Sequence, residues 1–365
     1  MMPRSPQTVT RIARSLFKGA VLAGAVAAFG LPVGASANST VTVLETGSSL
    51  LYPLFNLWVP PYTRAHPNVR ITTQSTGSGT GIAQAVSGVA QIGASDAYLS
   101  DALVRQHPGM LSIPLAISSQ MVNYNVPGLN RDHLRLSGPV LAGIYSGKIT
   151  RWDDAAIVRI NHGVKLPHNL IVPVHRSDGS GDTFIFTQYL SDSTPSWNSA
   201  LGYGTTVSWP PVRNGIGAIG NPGMVQALQT TPYSVAYVGV SYKKEVDKAE
   251  LGEARLENRA GRFVLPTTRT VMAAAAKMVP KTPADQRISL IFAPGDESYP
   301  IINYEYAIVD KKQSTPEMGH AVRELLGWAI EARGGNAAHF MKEVNFVPLP
   351  KSVAKLSRRQ IDQIR

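Results

Sequence analysis

Short apolar runs alternate along the chain with helix-length segments in which apolar residues recur every three or four positions. The apolar runs predict strands at residues 41–44, 69–73, 91–94, 112–117, 121–126, 171–175, 234–238 and 301–309. The helical spacing predicts helices at residues 52–58, 81–89, 183–190 and 318–332. Because strands and helices alternate, we expect an α/β fold in which helices cover a sheet.

The pattern also predicts loops and a buried helix face. Residues 209–223 and 293–300 are rich in proline and glycine and predict loops. The last predicted helix carries its large apolar side chains on one face, which we expect to pack on the sheet. These residues are Val322, Leu325, Leu326, Ala329 and Ile330.

The first 37 residues have the order of a secretory signal peptide. Four basic residues and no acid precede an apolar stretch at residues 19–33, and Ala-Ser-Ala at residues 35–37 is a cleavage signal. We therefore expect export, with a mature chain that begins near Asn38. A retained membrane anchor is the alternative, which the short apolar stretch and the cleavage signal disfavour.

Composition narrows the class of protein. A hydrophobic content of 44% and a charged content of 16% are typical of a globular protein. The sequence has no cysteine, so it has neither disulfides nor the residue to which a lipoprotein anchor is attached. Export without that anchor favours a Gram-negative periplasm.

The chain is basic, with a net charge of +11. The predicted signal peptide contains four bases and no acid, so its removal lowers the charge to +7. Lysine and arginine are scattered rather than clustered, which disfavours a nucleic-acid partner. The excess charge is compatible with attraction of a small anion.

Three turns share one design, in which a strand leads through glycine and hydroxyl residues to the start of a helix. They lie at residues 46–53, 76–81 and 176–184. The first amides of a helix lack internal partners and carry partial positive charge, and glycine lets an anion approach them. Each turn alone is compatible with a simple helix cap, but three together, one led by Arg176, predict an anion site.

Asp96 follows a predicted strand, where ligands collect in open α/β sheets. An ionised carboxylate only accepts hydrogen bonds, so it favours an anion that carries a proton. Phosphate has such a proton at neutral pH and sulfate does not, so Asp96 would select phosphate. Asp182 is a candidate second acceptor. A helix cap or a surface ion pair is the alternative role for Asp96.

Enzymatic motifs are missing from the sequence. It contains no P-loop, no dinucleotide fingerprint, no Gly-x-Ser-x-Gly elbow and no His-Glu-x-x-His pair. His162 and His168 have a spacing more typical of ordinary loop residues than of metal ligands, and His175 is a candidate for packing near the site. We therefore predict neither an enzyme nor a cofactor.

At these turns the sequence resembles the periplasmic phosphate-binding proteins of the phosphate-specific ABC transporter, and it is most similar to their mycobacterial branch. The resemblance covers nearly the whole mature chain. It rests on residues 47–53, 77–81, 93–100 and 176–184, with further matches at 152–154, 187–191 and 299–304.

The resemblance implies a two-lobed periplasmic binding protein of type II, each lobe a mixed sheet flanked by helices, with a hinge between them. Lobe one comprises residues 38–117 plus 300–365, and lobe two comprises residues 118–299. The implied partners are inorganic phosphate and the inner-membrane permease subunits, and the implied state is a monomer. A secreted phosphatase on the same scaffold, or a binder of another oxyanion such as sulfate, are the alternatives.

The resemblance also implies the ligand contacts. Carried over by position, they are the backbone amides of Leu51 and Tyr52, together with Ser78, Asp96, Arg176, Ser180 and Gly181. Two positions depart from the family pattern, where threonine is common: Leu51 lacks its hydroxyl, and Asp182 is expected to accept another phosphate proton. Arg176 is expected to pair with Asp178.

Overall fold

The computed structural model describes residues 40–365, in which helices flank a mixed sheet. The strands are β1 (Val41–Gly47), β2 (Val69–Ser75), β3 (Ile92–Ser95), β4 (Met110–Asn125), β5 (Arg135–Leu136), β6 (Val172–Arg176), β7 (Ile216–Ala218), β8 (Ser234–Gly239), β9 (Gly252–Glu253), β10 (Arg255–Glu257), β11 (Phe263–Val264) and β12 (Ile302–Asp310). The helices are α1 (Tyr52–Ala65), α2 (Ser78–Val86), α3 (Asp101–Gln106), α4 (Gly138–Tyr145), α5 (Ala155–Ile160), α6 (Gly181–Ser193), α7 (Pro195–Ala200), α8 (Gly220–Thr230), α9 (Lys243–Lys248), α10 (Thr268–Met278), α11 (Pro316–Ala329), α12 (Ala338–Glu343) and α13 (Lys351–Ile361). Short 3-10 helices lie at Val240–Tyr242 and Val279–Lys281. The α/β class predicted from the alternating pattern is confirmed.

The long strand β4 joins two parts of the main sheet. The strand order is β2-β1-β3-β12-β4-β8-β6-β7, with β9 also paired to β4. Residues 110–119 of β4 run antiparallel to β12, and residues 120–125 run antiparallel to β8. We call β2, β1, β3, β12 and residues 110–119 the first part of the sheet, and residues 120–125 with β8, β6, β7 and β9 the second part.

Each part of the sheet contains parallel strands whose carboxyl ends reach the same edge. In the first part, β1 runs parallel to both β2 and β3. In the second part, β6 runs parallel to both β7 and β8. The turns that follow β1, β2, β3 and β6 therefore lie at the carboxyl ends of parallel strands, where ligands commonly bind in α/β folds.

The structure corrects three predicted elements. Residues 112–117 and 121–126 belong to one strand, because β4 continues through the polar residues between them. Helix α1 extends to Ala65 through Pro60 and Pro61, since its buried face continues as far as Tyr62. The segment 209–223, predicted as a loop, contains β7 and the start of α8.

The apolar face of α11 packs as predicted. Val322, Leu325, Leu326 and Ala329 are buried, and the helix contacts β1. Burial of each valine or leucine side chain contributes roughly 1.5–3 kcal/mol to folding, so this face holds the helix on the sheet.

The predicted signal peptide and its cleavage signal lie outside the described residues. Across residues 40–365, no helix combines the length and the apolar character needed to cross a membrane.

Candidate functional site

The turn after β1 is organised by Ser48. Its Oγ accepts hydrogen bonds from the amides of Leu50 at 3.1 Å and Leu51 at 3.0 Å, and its hydroxyl donates to Asp96 Oδ1. The amide of Tyr52 donates to the Ser48 carbonyl at 3.0 Å. The amides of Leu51 and Tyr52, predicted to contact the ligand, therefore already have partners within their own turn.

The turn after β2 presents Ser78 at the start of α2. Gly77 precedes it with a φ of 87°, a left-handed conformation that favours glycine. Ser78 is fully buried, and its Oγ accepts from the Asp96 amide at 3.2 Å and donates to Asp96 Oδ2 at 3.4 Å. Ser78 and Asp96 therefore lie together, as predicted.

Asp96 directly follows β3 and is buried with a relative exposure of 2%. Its carboxylate is held by the hydroxyls of Ser48 and Ser78. Burial, reinforced by the negative charge of Asp182, raises the pKa of Asp96 to about 7. Its charge therefore changes within the physiological pH range.

The turn after β6 supplies the positive charge of the site. Arg176 Nε donates to Asp178 Oδ1 at 2.6 Å, and Nη2 donates to Asp178 Oδ2, so the predicted pair is confirmed. Arg176 Nη1 donates to Asp182 Oδ2 at 2.8 Å and to Ser49 Oγ at 3.2 Å. Burial opposes the charged form, but the two carboxylates outweigh it and raise the pKa of Arg176.

Ser180 and Gly181 begin α6 beside the first three turns. Ser180 Oγ caps the helix by accepting from the Thr183 amide at 3.2 Å. A Cβ added to Gly181 would lie 2.5 Å from Ser78 Oγ and would also collide with the Asp96 carboxylate. Only glycine fits at this contact, where α6 of the second part meets Ser78 and Asp96 of the first.

Asp182 occupies the interior of a polar cluster. Gln120 Nε2 donates to its Oδ1 at 3.0 Å, and Arg176 Nη1 and Asn221 Nδ2 donate to its Oδ2 at 2.8 and 2.7 Å. Burial raises the pKa of Asp182 despite the opposing effects of these three groups. A carboxylate has about four acceptor positions, so about one is left for a ligand proton.

Several members of this network were not assigned a role from the sequence. Asn221 donates through its amide and Nδ2 to Ser49 Oγ, and its Oδ1 accepts from the Gly239 amide at 2.7 Å. Asn221 lies in the glycine- and proline-rich segment predicted as a loop. Its position in the first turn of α8 is the feature that could have indicated a role. Ser48 and Ser49 lie within the first predicted turn, at residues 46–53, but their contacts with Asp96 and Arg176 join residues far apart in the sequence.

His175 lies next to this network, with its Nδ1 3.1 Å from the carbonyl oxygen of Arg176. His175 stacks on Trp209 with a ring-centroid distance of 4.9 Å, and His168 Nδ1 lies 2.6 Å from Asp153 Oδ2 on the surface. Within residues 40–365, no cluster of three or more histidine, cysteine, aspartate or glutamate side chains is placed to hold a metal ion.

The result is a buried polar cluster to which both parts of the sheet contribute. Ser78, Ser180 and Gly181 lie at helix starts, Arg176 provides positive charge, and Asp96 provides an acceptor. Contacts such as Gly79 N to Gly179 O at 2.9 Å connect the turns of the two parts of the sheet.

The fold and the site define a binding protein of the PBP superfamily, whose domain model matches residues 33–333. The phosphate-binding protein PstS of Pasteurella multocida is 36% identical over 87% of this chain and 89% of its own length. The protein of the same name from Methanocaldococcus jannaschii is 34% identical over 90% of this chain and 87% of its own length. The chain belongs to this family of phosphate-binding proteins.

Mycobacterial members and solved structures are also similar. PstS2 of Mycobacterium bovis is 31% identical over 86% of this chain and 85% of its own length. A high-affinity periplasmic phosphate-binding protein, solved with phosphate at pH 8.5, superposes with a TM-score of 0.71 over 87% of this chain and 93% of its own. Its sequence identity is 21%, so this likeness shows the fold.

Proposed function

We propose that the protein captures inorganic phosphate in the buried site between the two parts of its sheet and delivers it to a phosphate transporter of the ABC type. The observation that carries the proposal is the position of Asp96, a buried acceptor next to helix starts and a guanidinium. Positive groups hold the anion, and Asp96 requires that it carry a proton. Family membership supports phosphate as that anion.

The proposed ligand contacts are the eight residues predicted from the sequence: Leu51, Tyr52, Ser78, Asp96, Arg176, Ser180, Gly181 and Asp182. Six of the eight lie close together. Ser78, Asp96, Ser180 and Gly181 lie where the start of α6 meets the first part of the sheet, and Arg176 and Asp182 pair beside them. Leu51 and Tyr52 would act through their backbone amides after a change of partner in the first turn. Asp182 would use its remaining acceptor position.

We place the two lobes at residues 38–117 plus 300–365 and at residues 118–299, and the division of the sheet into two parts supports this proposal. Strand β4 changes its neighbour between Ser119 and Gln120, two residues beyond the proposed boundary. The other crossing lies just before β12, which begins at Ile302. A hinge at these two crossings would let the lobes open and close around phosphate.

Export and partners complete the proposal. The signal peptide at residues 1–37 would be cleaved, and the protein would act as a periplasmic monomer that docks on inner-membrane permease subunits. Because its named relatives are binding proteins, phosphate would be released unchanged.

Isothermal titration of the mature protein with phosphate, sulfate and arsenate at pH 5 and pH 8 tests the function. We expect tight binding of phosphate and arsenate, which both carry a proton, and much weaker binding of sulfate. Equal binding of sulfate and phosphate at pH 8 would refute the proposal. Release of alcohol from a chromogenic phosphate ester, with divalent metal present, would instead indicate a phosphatase.

A further inference from the structure

A second buried acid, Glu305, lies directly behind Asp96. Strands β3 and β12 are antiparallel with Ser95 opposite Tyr306, so Asp96, which directly follows β3, comes next to Glu305, which precedes Tyr306. Asn303 Nδ2 donates to Glu305 Oε1 at 3.0 Å and to the Asp96 carbonyl oxygen at 3.4 Å, so the two acids are neighbours, and each affects the pKa of the other. Glu305 is fully buried within β12, where an acid requires a specific compensating partner.

The surroundings of Glu305 fix the orientation of its carboxyl group. Its Oε1 accepts hydrogen bonds from Ser118 Oγ at 2.5 Å and Asn303 Nδ2 at 3.0 Å. Its Oε2 accepts none from the residues that the structure describes. Oε1 is therefore the acceptor atom of a carboxylic acid, and Oε2 is the atom left to carry its proton.

Two neighbouring carboxyl groups that are both buried cannot both be ionised without a large cost, so one of them keeps a proton. Burial and the charge of Asp96 raise the pKa of Glu305 well above its usual value. Asp96 instead faces the donors Ser48 and Ser78 and the positive charge of Arg176, which favour its ionised form, while Asp182 opposes it. The balance of the groups facing each acid places the proton on Glu305.

We propose that Glu305 is a positioning residue that remains protonated and donates a hydrogen bond to Asp96, which keeps Asp96 an ionised acceptor for the ligand proton. The discrimination between phosphate and sulfate is then a property of the pair. This inference rests on the proposed function, because it specifies how the same site selects its anion.

Removal of the Glu305 donor would change the role of Asp96. Without that hydrogen bond Asp96 holds its proton more strongly, since the contact with Glu305 lowers its pKa. A protonated Asp96 can donate a hydrogen bond to an oxyanion that carries no proton. The variant should therefore bind sulfate, which an ionised Asp96 repels.

Two variants distinguish loss of the hydrogen-bond donor at position 305 from loss of the carboxyl group. Glu305→Leu removes the donor, whereas Glu305→Gln keeps an acceptor for Ser118 and Asn303 and a donor for Asp96. Glu45→Gln is the matched control, because Glu45 is also fully buried in the first part of the sheet and burial raises its pKa well above the usual value. Glu45 lies on β1, and Asp96 is not among the groups that shift it.

The experiment is competition calorimetry with phosphate and sulfate at pH 7 on the wild type and the three variants. We expect the preference for phosphate over sulfate to be at least about tenfold lower in Glu305→Leu than in wild type. We expect Glu305→Gln to keep the wild-type preference. Glu45→Gln should keep the wild-type preference. An unchanged preference in folded Glu305→Leu would overturn the inference, whereas a wild type without phosphate preference would overturn the proposed function itself.

A second measurement reports the protonation state of Glu305 in the wild-type protein. Carbon-13 NMR of labelled carboxyl groups, with the Glu305 signal assigned by its loss in Glu305→Gln, reports which acid is protonated. We expect the Glu305 carbon to remain at its protonated position at pH 8, where Asp96 is ionised. An ionised Glu305 beside a protonated Asp96 would overturn the inference even if Glu305→Leu fails to fold.

Discussion

Ser49 Oγ and Arg176 Nη1 lie 3.2 Å apart although they belong to different parts of the sheet and are separated by 127 positions in the sequence. Ser49 follows β1, and Arg176 ends β6. The same serine oxygen also accepts from Asn221 Nδ2 at 2.9 Å, so one hydroxyl connects the first turn to two elements of the second part. This contact can form only when the two parts are close together.

Ser49→Ala tests this connection. Loss of the hydroxyl leaves Arg176 and Asn221 without one buried acceptor, which should weaken phosphate binding by about 5–30-fold by disfavouring the closed arrangement. Calorimetry measures the affinity, and small-angle scattering with saturating phosphate measures closure. Ser234→Ala is the control, since Ser234 is equally buried but bonds within its own part of the sheet; equal affinity losses in both variants would contradict the assignment.

Arg176→Ala should cause a larger loss, because it removes the positive charge and leaves Asp178 and Asp182 unpaired. We expect phosphate affinity to fall by more than about 100-fold. Arg287→Ala is a matched control, since Arg287 also pairs with two carboxylates, Asp101 and Asp285, away from the site. Calorimetry on both variants, with thermal melts of the ligand-free proteins, decides: similar affinities in the two would exclude Arg176 as a contact.

Asp96→Asn should reduce the preference for phosphate over sulfate. The amide presents both a donor and an acceptor, so an oxyanion without a proton no longer faces a repulsive carboxylate. Competition calorimetry at pH 8 should show sulfate displacing phosphate from the variant at concentrations that leave the wild type occupied. The prediction fails if the ratio of the two dissociation constants is the same in both proteins.

The wild-type preference should also depend on pH. The pKa of Asp96 is raised to about 7, so Asp96 is mostly protonated at pH 5 and mostly ionised at pH 8.5. Sulfate should therefore compete more effectively at pH 5 than at pH 8.5. Dissociation constants measured across this range should show the change centred near pH 7, and a flat ratio would contradict the role of Asp96.

The same group affects the stability of the ligand-free protein. The pKa of Asp96 is raised on folding, so the stability that it contributes is fully present below its unfolded pKa and is lost as pH rises through about 7. Between pH 5 and pH 8, the free energy of unfolding should fall by about 3 kcal/mol more in wild type than in Asp96→Asn. Urea titrations without phosphate measure this difference. If the free energy of unfolding changes with pH in the same way in both proteins, the pKa of Asp96 is not raised on folding.

Much of the site could be predicted because its parts are local in sequence. A glycine- and hydroxyl-rich turn between a strand and a helix is visible at residues 76–81 and 176–184, and Asp96 ends a short buried strand. The pairing of Arg176 with Asp178 was expected from the family resemblance, and the two residues lie in one turn. These features depend on neighbouring residues, so the pattern alone indicates them.

The rest depends on contacts between distant strands. Residues 118–120 are polar and divide β4 into two predicted strands, yet they lie where β4 passes from β12 to β8. Glu305 is one acid in the apolar strand 301–309, and only the β3–β12 register brings it to Asp96. Asn221 reaches Asp182 across 39 positions, from a segment whose glycines and prolines indicated a loop.

The most direct test of the account is a crystal structure of the mature protein with phosphate at neutral pH. We expect one phosphate, fully enclosed, with an oxygen that donates its proton to Asp96 and other oxygens that accept from Arg176, Ser78, Ser180 and the amide of Gly181. Phosphate bound elsewhere, or bound with its oxygens beyond hydrogen-bonding distance of Asp96, would contradict it.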